Sequence, residues 1–286
     1  MILVTGAAGK TGLALLCALK QRGATVRALI RRQERETEVL EAGARQAQLG
    51  DLLDAGSLSA AFADVGAVYL ICPNVHPREF EMARNAITVA KQAGVRRIVY
   101  HSVLYPQIEA MPHHWQKLKV EEALIQSGLE FTILQPASYM QNILPYWEAI
   151  TTTGEYRVPY SVDSAFSPVD LGDVAQVAAA ALLEYGSAGG IYPLAGPQRM
   201  RSATMAAEMA QVLGRDVHAV QQPLAEWIEN AKKAGYSGYA IQALSAMFKY
   251  YDQHGFAGNS AVLEMLLGRP ATKLNSFLSK ANKEIS

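Results

Sequence analysis

The chain has few cysteines, no excess of charge of either sign and no long apolar run. Cys17 and Cys72 each lie within an apolar pattern, so we expect no disulfide framework and a reducing, cytoplasmic location. Lys and Arg together number 26, as do Asp and Glu, and this balance disfavours nucleic acid as a partner. The most apolar stretch, Val174 to Leu183, is too short to cross a bilayer and predicts a packed helix. We therefore expect a globular protein without a membrane partner.

The length of 286 residues suits one large α/β domain, or one such domain with a smaller neighbour. A first strand is predicted from Ile2, which leaves no room for a charged leader and an apolar signal segment. We therefore expect that no secretion signal precedes the fold.

A glycine-rich turn follows this first strand. Gly6, Gly9 and Gly12 stand between the apolar run at 2–4 and a helical pattern of leucines, so the order is strand, turn and helix. Glycines let the backbone approach a pyrophosphate, and the amides and positive dipole end of the helix bind its charge. The first spacing is one residue wider than in G-x-G-x-x-G, so this motif alone is weak evidence. The cofactor contacts predicted from this segment are Gly6, Gly9, Lys10, Thr11 and Gly12.

Two arginines, Arg31 and Arg32, follow the second predicted strand at 25–30. In a nucleotide-binding α/β unit this position meets the adenosine ribose, where a carboxylate selects NAD and an arginine favours the 2'-phosphate of NADP. The pair therefore predicts NADP(H), although two solvated charges are the alternative. Lys10 is either a second cation near that phosphate or an exposed helix lysine.

Later strand ends supply further candidates. Asp51 follows the third predicted strand at 46–49 and either contacts the adenine or caps the helix that starts near Ser57. Cys72 and Pro73 follow the strand at 67–71, and we expect them to line the cofactor as well. Strands alternate with helices throughout this half, which predicts an α/β fold with a doubly wound parallel sheet.

From these motifs onward, nearly the whole chain resembles one known family. The segments that carry the resemblance are Gly6-x-x-Gly9-x-x-Gly12, Gly50-Asp51, Gly94 to Val99, His113 to Lys117 with Val120-Glu121-Glu122, Ser127 to Leu134, Pro136 to Asn142 and Asp170 to Ala175. In order and spacing they are similar to the NmrA-like group of atypical short-chain dehydrogenases.

The resemblance implies a Rossmann domain that binds NAD(P) and a smaller, discontinuous C-terminal substrate domain. It assigns residues 1–135, with a return at 166–195, to the NADP-binding domain, and residues 136–165 and 196–286 to the substrate-binding domain. Members of the group include quinone, triphenylmethane-dye and imine reductases, and also sensors that bind dinucleotide without known turnover.

Short-chain dehydrogenases ordinarily use a Ser, a Tyr and a Lys, the last two spaced Tyr-x-x-x-Lys. The resemblance places Ser102 and Lys117 at the serine and lysine positions, but His113 stands where the Tyr would be. On a helix His113 and Lys117 share a face. Lys117 would then position the nicotinamide ribose, and His113, with a pKa near 6.5 if unperturbed, would donate a proton at neutral pH. A polar surface position is the equal alternative for His113.

Two tyrosines, Tyr105 and Tyr139, are the other candidate proton donors. Tyr105 follows Ser102 closely, and Tyr139 lies in the segment after Pro136 that faces the nicotinamide in relatives; Pro136 is a predicted cofactor contact for the same reason. With a quinone or iminium acceptor, solvent can supply the proton. Aromatic residues between Tyr139 and Phe166 either line a pocket for a planar substrate or pack the smaller domain.

Two other site classes are disfavoured. The pair His113-His114 has no third ligand at useful spacing, so we expect no metal. Ser102, His113 and Asp170 stand in a possible triad order, but Ser102 lacks the G-x-S-x-G elbow of a hydrolase. The sequence therefore predicts an NADPH-dependent reductase of a small conjugated or aromatic molecule, with a redox sensor as the alternative. Non-redox chemistry on a bound nucleotide and a homodimer stay open.

Overall fold

The computed structural model describes residues 1–184 and 186–285, and within them the chain divides into two compact units. The first unit comprises Met1–Gln107, His113–Gln135 and Val174–Tyr192. The second comprises Ile108–Pro112, Pro136–Asp173 and Pro193–Ser286. The first unit thus resumes at Val174, whereas the sequence-based division places this return at 166.

The described residues form eleven strands and twelve α-helices, together with two 3-10 helices at Gln33–Arg35 and Met140–Tyr146. Strands β1 to β11 are Ile2–Val4, Val26–Ile30, Gln46–Leu49, Ala67–Leu70, Arg97–His101, Glu130–Pro136, Glu155–Val158, Ala165–Phe166, Gly190–Leu194, Met200–Arg201 and His218–Gln221. Helices α1 to α12 are Lys10–Gln21, Glu36–Ala42, Ala55–Phe62, Glu79–Gln92, Pro112–Ile125, Trp147–Thr153, Leu171–Leu183, Ser202–Leu213, Leu224–Lys233, Gly238–His254, Ala261–Leu267 and Leu274–Ile285.

The main sheet has the strand order β3-β2-β1-β4-β5-β6-β9. Strands β1 to β6 pair in parallel, for example Leu3 with Arg27 on one side and with Val68 on the other. The chain builds outward from β1 to β3 and then returns to place β4 on the other side of β1. The predicted doubly wound α/β fold is therefore confirmed, with its switch point between β1 and β4.

Apolar periodicity explains why the helices of the first unit pack on this sheet. In α1 the buried residues Leu15, Leu16 and Leu19 recur at helical spacing. Strand β4 is buried along its whole length, as expected for a central parallel strand that is covered on both faces. Phe62 and Met82, from α3 and α4, belong to the same core cluster as this strand. The packed layers fix where the strand ends lie.

The second unit has its own core and two small strand pairs. Strands β7 and β11 pair in parallel, while β8 and β10 pair antiparallel. Trp147, Met209 and Leu278 belong to its buried cluster, to which α8 and α12 contribute apolar faces. None of the described helices is both long and apolar enough to span a membrane.

Candidate functional site

The carboxyl ends of five neighbouring strands carry most of the residues singled out by sequence. Because these strands are parallel, the residues that follow them lie at one edge of the sheet, where open α/β sheets bind ligands. They are Gly6 to Gly12 after β1, Arg31 and Arg32 after β2, Asp51 after β3, Cys72 and Pro73 after β4, and Ser102 and Tyr105 after β5.

The turn after β1 requires glycine at two positions. Gly6 has a φ of +57°, and an added Cβ would lie 3.1 Å from Ile71. A Cβ on Gly12 would lie 2.5 Å from the carbonyl oxygens of Gly6 and Ala7. Gly9 is the N-cap of α1, so the first amides of the helix have no intrahelical acceptor. The turn therefore presents backbone donors at a helix N-terminus, as a phosphate group requires.

Thr5 connects the start of this turn, after β1, to the end of β4 on the other side of the switch point. Its hydroxyl donates a hydrogen bond to the carbonyl of Ile71 at 2.8 Å and accepts one from the amide of Ile71 at 2.8 Å. Both bonds are local to the ends of β1 and β4. They hold the glycine turn at the place where the sheet order reverses.

A third arginine, Arg35, contacts the glycine turn directly. Its guanidinium donates to the carbonyl of Ala8 at 2.6 Å, and Glu38 holds the same side chain. Arg31 and Arg32 are exposed at the end of β2. The cationic segment after β2 thus lies against the turn that would hold a pyrophosphate, which the sequence spacing alone did not reveal.

Asp51 does not cap the helix that follows it. Helix α3 begins at Ala55, and the side chain of Asp54 accepts from the amides of Gly56 and Ser57. The carboxylate of Asp51 instead accepts from the amide of Leu53 at 2.9 Å. The capping alternative is therefore wrong, and the adenine contact of Asp51 stays a prediction.

Lys117 is buried and paired. Its Nζ atom lies 2.6 Å from Oε1 of Glu79, the first residue of α4, and 5.8 Å from the ring centroid of Tyr100. Glu79 is completely buried, and the hydroxyl of Tyr100 donates to the same carboxylate oxygen at 3.4 Å. The ammonium is thus held by a carboxylate and an aromatic face within the first unit.

Ser102 is also paired with a buried carboxylate. Its hydroxyl donates a short hydrogen bond to Oε1 of Glu121 on α5. The amide of Gln135 donates to both oxygens of Glu121, at 3.0 and 3.1 Å. Burial raises the pKa of Glu121, while the bonds from Ser102 and Gln135 oppose that rise. Ser102 and Lys117 therefore contact different carboxylates.

The histidines of this region are buried and neutral. His113 and Lys117 lie on the same helix, α5, but His113 is only 5% exposed, so the surface alternative is wrong. Burial, aided by the Lys117 charge, lowers the pKa of His113 to about 4. Burial likewise lowers the pKa of His114 to about 3. The premise of an unperturbed His113 is therefore wrong, and its imidazole is uncharged at neutral pH.

The remaining candidates are divided between the units. Tyr105 is half-buried with a φ of +54°, and its carbonyl is 3.3 Å from Nδ1 of His114. Cys72 is buried, which raises the pKa of its thiol. Pro136 and Tyr139 belong to the second unit, where Tyr139 forms a bridge with Val169. The functional roles of these residues stay predictions.

The profile of the NmrA-like family matches residues 1–282. The chain belongs to the NmrA-like family. The resemblance inferred from the sequence motifs is therefore confirmed over nearly the whole length.

Several relatives of this NmrA-like protein are named as reductases. It is 31% identical to the NAD(P)H azoreductase of Xenophilus azovorans, over 97% of this chain and 96% of that protein. The NADPH-dependent quinone oxidoreductase of Escherichia coli, solved with NADPH, has a TM-score of 0.86 and 26% identity, covering 99% of this chain and 100% of that one. Triphenylmethane reductase of Citrobacter sp., solved with NADP(H), has a TM-score of 0.86 at 22% identity, covering 98% and 100%, and supports the fold alone.

Three site residues of this NmrA-like protein were missed by sequence reasoning. Glu79 lies between Arg78 and Glu81 in a charged first turn, which is typical of a solvated helix start. Glu121 lies in a Glu-Glu pair on a predicted helix, a pattern that is typical of solvated charges. Arg35 follows Arg31 and Arg32 in the sequence. Its place in this cluster of positive charge after β2 was the one sequence signal that could have identified it.

Proposed function

We propose that this NmrA-like protein is an NADPH-dependent reductase of a small conjugated or aromatic acceptor. The observation that carries the proposal is the glycine turn after β1, with the arginine-rich segment after β2 lying against it. Backbone donors suit a pyrophosphate, and cations beside them suit a 2'-phosphate. No Asp or Glu, which would select NAD, follows β2 before Glu34.

Several residues of the first unit fit the cofactor in this proposal. Gly6, Gly9 and Gly12 leave the close backbone approach that a Cβ would block. Arg31 and Arg32 are exposed just after the end of β2. Arg35 donates a hydrogen bond to the carbonyl of Ala8 in the glycine turn. When bound, NADPH supplies a hydride from its nicotinamide ring. Lys117 would stabilise the nicotinamide half by its charge.

The proton supply limits the class of acceptor. Reduction adds one hydride and one proton, and His113 is neutral at pH 7 because burial lowers its pKa to about 4. His113 therefore supplies no strong acid at the site. Reduction of an ordinary ketone would need such an acid to protonate the alkoxide that forms. A quinone, imine or enone spreads or lacks the developing negative charge, so solvent can complete the reaction. The azoreductase and quinone oxidoreductase relatives support an acceptor of this kind.

A steady-state screen tests the proposal. NADPH oxidation is followed without oxygen against quinones, iminium compounds, enones, azo dyes and triphenylmethane dyes, with saturated ketones as the comparison class. We expect turnover with at least one conjugated class and little with saturated ketones. No turnover with any conjugated class, by a protein that binds NADPH, would reject reductase activity of this kind.

A redox sensor that binds NADP(H) is the second candidate. The observation in its favour is that Ser102 and Lys117 are both already paired with buried carboxylates, Glu121 and Glu79. Such pairing stabilises the first unit without any need for turnover. A sensor should bind NADP+ and NADPH with clearly different affinities and remain inactive in the acceptor screen, whereas turnover in that screen excludes a purely sensing role.

Two further points can be tested directly. The cytoplasmic location expected from the cysteine content is tested by cell fractionation with a tagged chain. Light scattering of the purified protein, with and without NADPH, distinguishes a homodimer from a monomer.

A further inference from the structure

Glu79 is a buried carboxylate that no recognised motif accounts for. It begins α4, shortly after β4 ends at the sheet edge where the predicted cofactor residues lie. It is 0% exposed, although its neighbours Arg78 and Glu81 are exposed and bind each other. Carboxylates are almost never fully buried without a partner. A specific partner should therefore account for a carboxylate at position 79.

The partner of Glu79 is Lys117. Oε1 of Glu79 accepts from Nζ of Lys117 at 2.6 Å and from the hydroxyl of Tyr100 at 3.4 Å. Oε2 of Glu79 is buried and has no hydrogen-bond partner among the described residues. One oxygen thus makes both contacts, and the lysine contact is the short one. The main role of the carboxylate in this structure is to hold the ammonium.

We infer that Glu79 is the positioning residue of Lys117, and that it holds the ammonium in place at the nicotinamide end of the site. This inference rests on the proposed function for the role of Lys117 and extends it to a residue on another helix. A buried charge needs a partner of opposite sign in good geometry. Glu79 supplies that partner at 2.6 Å.

The surroundings of Lys117 make Glu79 its closest negative group. Its other ionisable neighbours come from three segments: Cys72 after β4, Tyr100 and His101 on β5, and His113, His114 and Glu121 on α5. Burial keeps these histidines, the thiol and the phenol uncharged at neutral pH. Glu121 is bound by Ser102 and Gln135 instead. Removing the Glu79 charge should therefore leave Lys117 without a close counter-charge.

A direct measurement of the ammonium environment tests the pairing independently of catalysis. Lysine side-chain NMR, with the Lys117 signal assigned from a Lys117→Arg variant, reports this environment in the full chain without cofactor. We expect Glu79→Gln to move the Lys117 signal clearly, because its contact at 2.6 Å is lost. Glu79→Asp should move it less, and Glu81→Gln should leave it unchanged. An unchanged Lys117 signal in a folded Glu79→Gln variant would overturn the inference.

Kinetics test the consequence for the reaction. In Glu79→Gln, kcat should fall roughly tenfold while the KM for NADPH changes little, because a mispositioned ammonium costs most in the transition state. Glu81→Gln is the matched control, because Glu81 lies in the same helical turn but its carboxylate is exposed. It should leave both constants unchanged. A folded Glu79→Gln variant with the wild-type kcat would contradict the role in catalysis.

A double variant separates positioning from folding. Glu79→Gln with Lys117→Met removes both charges, so it should recover most of the thermal stability lost by either single change. It should not recover turnover. Recovery of both turnover and stability would show that the pair has only a structural role. If the wild type shows no reductase activity while the Lys117 signal moves as expected in Glu79→Gln, the proposed function fails and the pairing stands.

Discussion

Nζ of Lys117 lies 2.6 Å from Oε1 of Glu79, and the two side chains are 8% and 0% exposed. The pair joins α5 to the first turn of α4 within one unit. Breaking a buried pair leaves a charge without a partner, which destabilises more than the intact pair stabilises. Variants at Lys117 therefore change stability as well as any chemistry, and the two effects must be measured separately.

Lys117→Met should lower the free energy of unfolding by about 3–5 kcal/mol near neutral pH, because Glu79 is left buried and unpaired. Chemical denaturation measures this change. Lys119→Met is the matched control: Lys119 is on the same helix and only half-buried, so its loss should change stability by about 0.5 kcal/mol or less. Equal effects of the two substitutions would contradict the buried pair.

Gly12→Ala should disturb the glycine turn, because the new Cβ would lie 2.5 Å from two carbonyl oxygens of the turn. We expect a loss of about 1–3 kcal/mol in unfolding free energy. Affinity for NADPH and NADH should fall by similar factors, since both share the pyrophosphate. Gly66→Ala is the control, because its added Cβ meets open space. Unchanged binding of both cofactors to Gly12→Ala would remove the turn from the site.

Arg31→Asp should weaken NADPH binding far more than NADH binding if Arg31 meets the 2'-phosphate. Loss of one charge-assisted contact corresponds to roughly 1.5–3 kcal/mol, or about 10- to 150-fold in affinity. Fluorescence titration with each cofactor measures the ratio. Arg45→Asp, at an exposed position before β3 on the opposite edge of the sheet, is the control. Equal losses for NADPH and NADH would reject the assignment of Arg31.

Stability should fall as the pH falls below about 6.5, because His101, His113 and His114 have lowered pKa values in the folded chain. Their folded values are about 3, about 4 and about 3, against 6.5 ordinarily, so between these limits the unfolded chain binds more protons. Unfolding free energy therefore rises with pH across that window. At about pH 5, each of these histidines lowers the free energy of unfolding by on the order of 1–2 kcal/mol relative to neutral pH.

Denaturation of wild type and His113→Gln at pH 7 and at about pH 5 checks this dependence. The variant should lose less stability than the wild type on acidification, because one of the three groups has been removed. His218→Gln, at an exposed strand position, should behave as the wild type does. The same slope in His113→Gln and wild type would show that His113 titrates normally.

Local patterns were enough to predict the fold. Apolar runs and glycine breaks indicated β1, β2 and β4 to β6 to within a few residues, because parallel strands covered on both faces are nearly continuous apolar segments. The edge strand β3 has the sequence Gln-Ala-Gln-Leu and is only partly buried, so it lacks this signal. The glycine turn was equally readable, since Gly6 and Gly12 are required by local backbone geometry. The position of the site at one sheet edge then follows from the parallel order.

The charged contacts of the site were not predictable in the same way. Glu79 and Lys117 are 38 positions apart, and only tertiary packing brings them together. The sequence around Glu79 is rich in charge, which is typical of exposed helix starts. His113 was assigned its ordinary pKa because burial is a property of the folded chain, and that burial lowers the pKa to about 4. The sequence analysis offered Asp51 as a cap of the helix after β3, and only the hydrogen bonds show that Asp54 caps it instead.

The most direct test of reductase function follows the hydride itself. The protein is given NADPH that carries deuterium at the transferable position of the nicotinamide ring, together with an enone or iminium acceptor, in the absence of oxygen. Mass spectrometry then counts deuterium in the product. One deuterium on carbon per NADPH oxidised is the result predicted for a reductase of conjugated acceptors. Tight NADPH binding with neither labelled product from an enone or iminium acceptor nor NADPH oxidation by a quinone would contradict it.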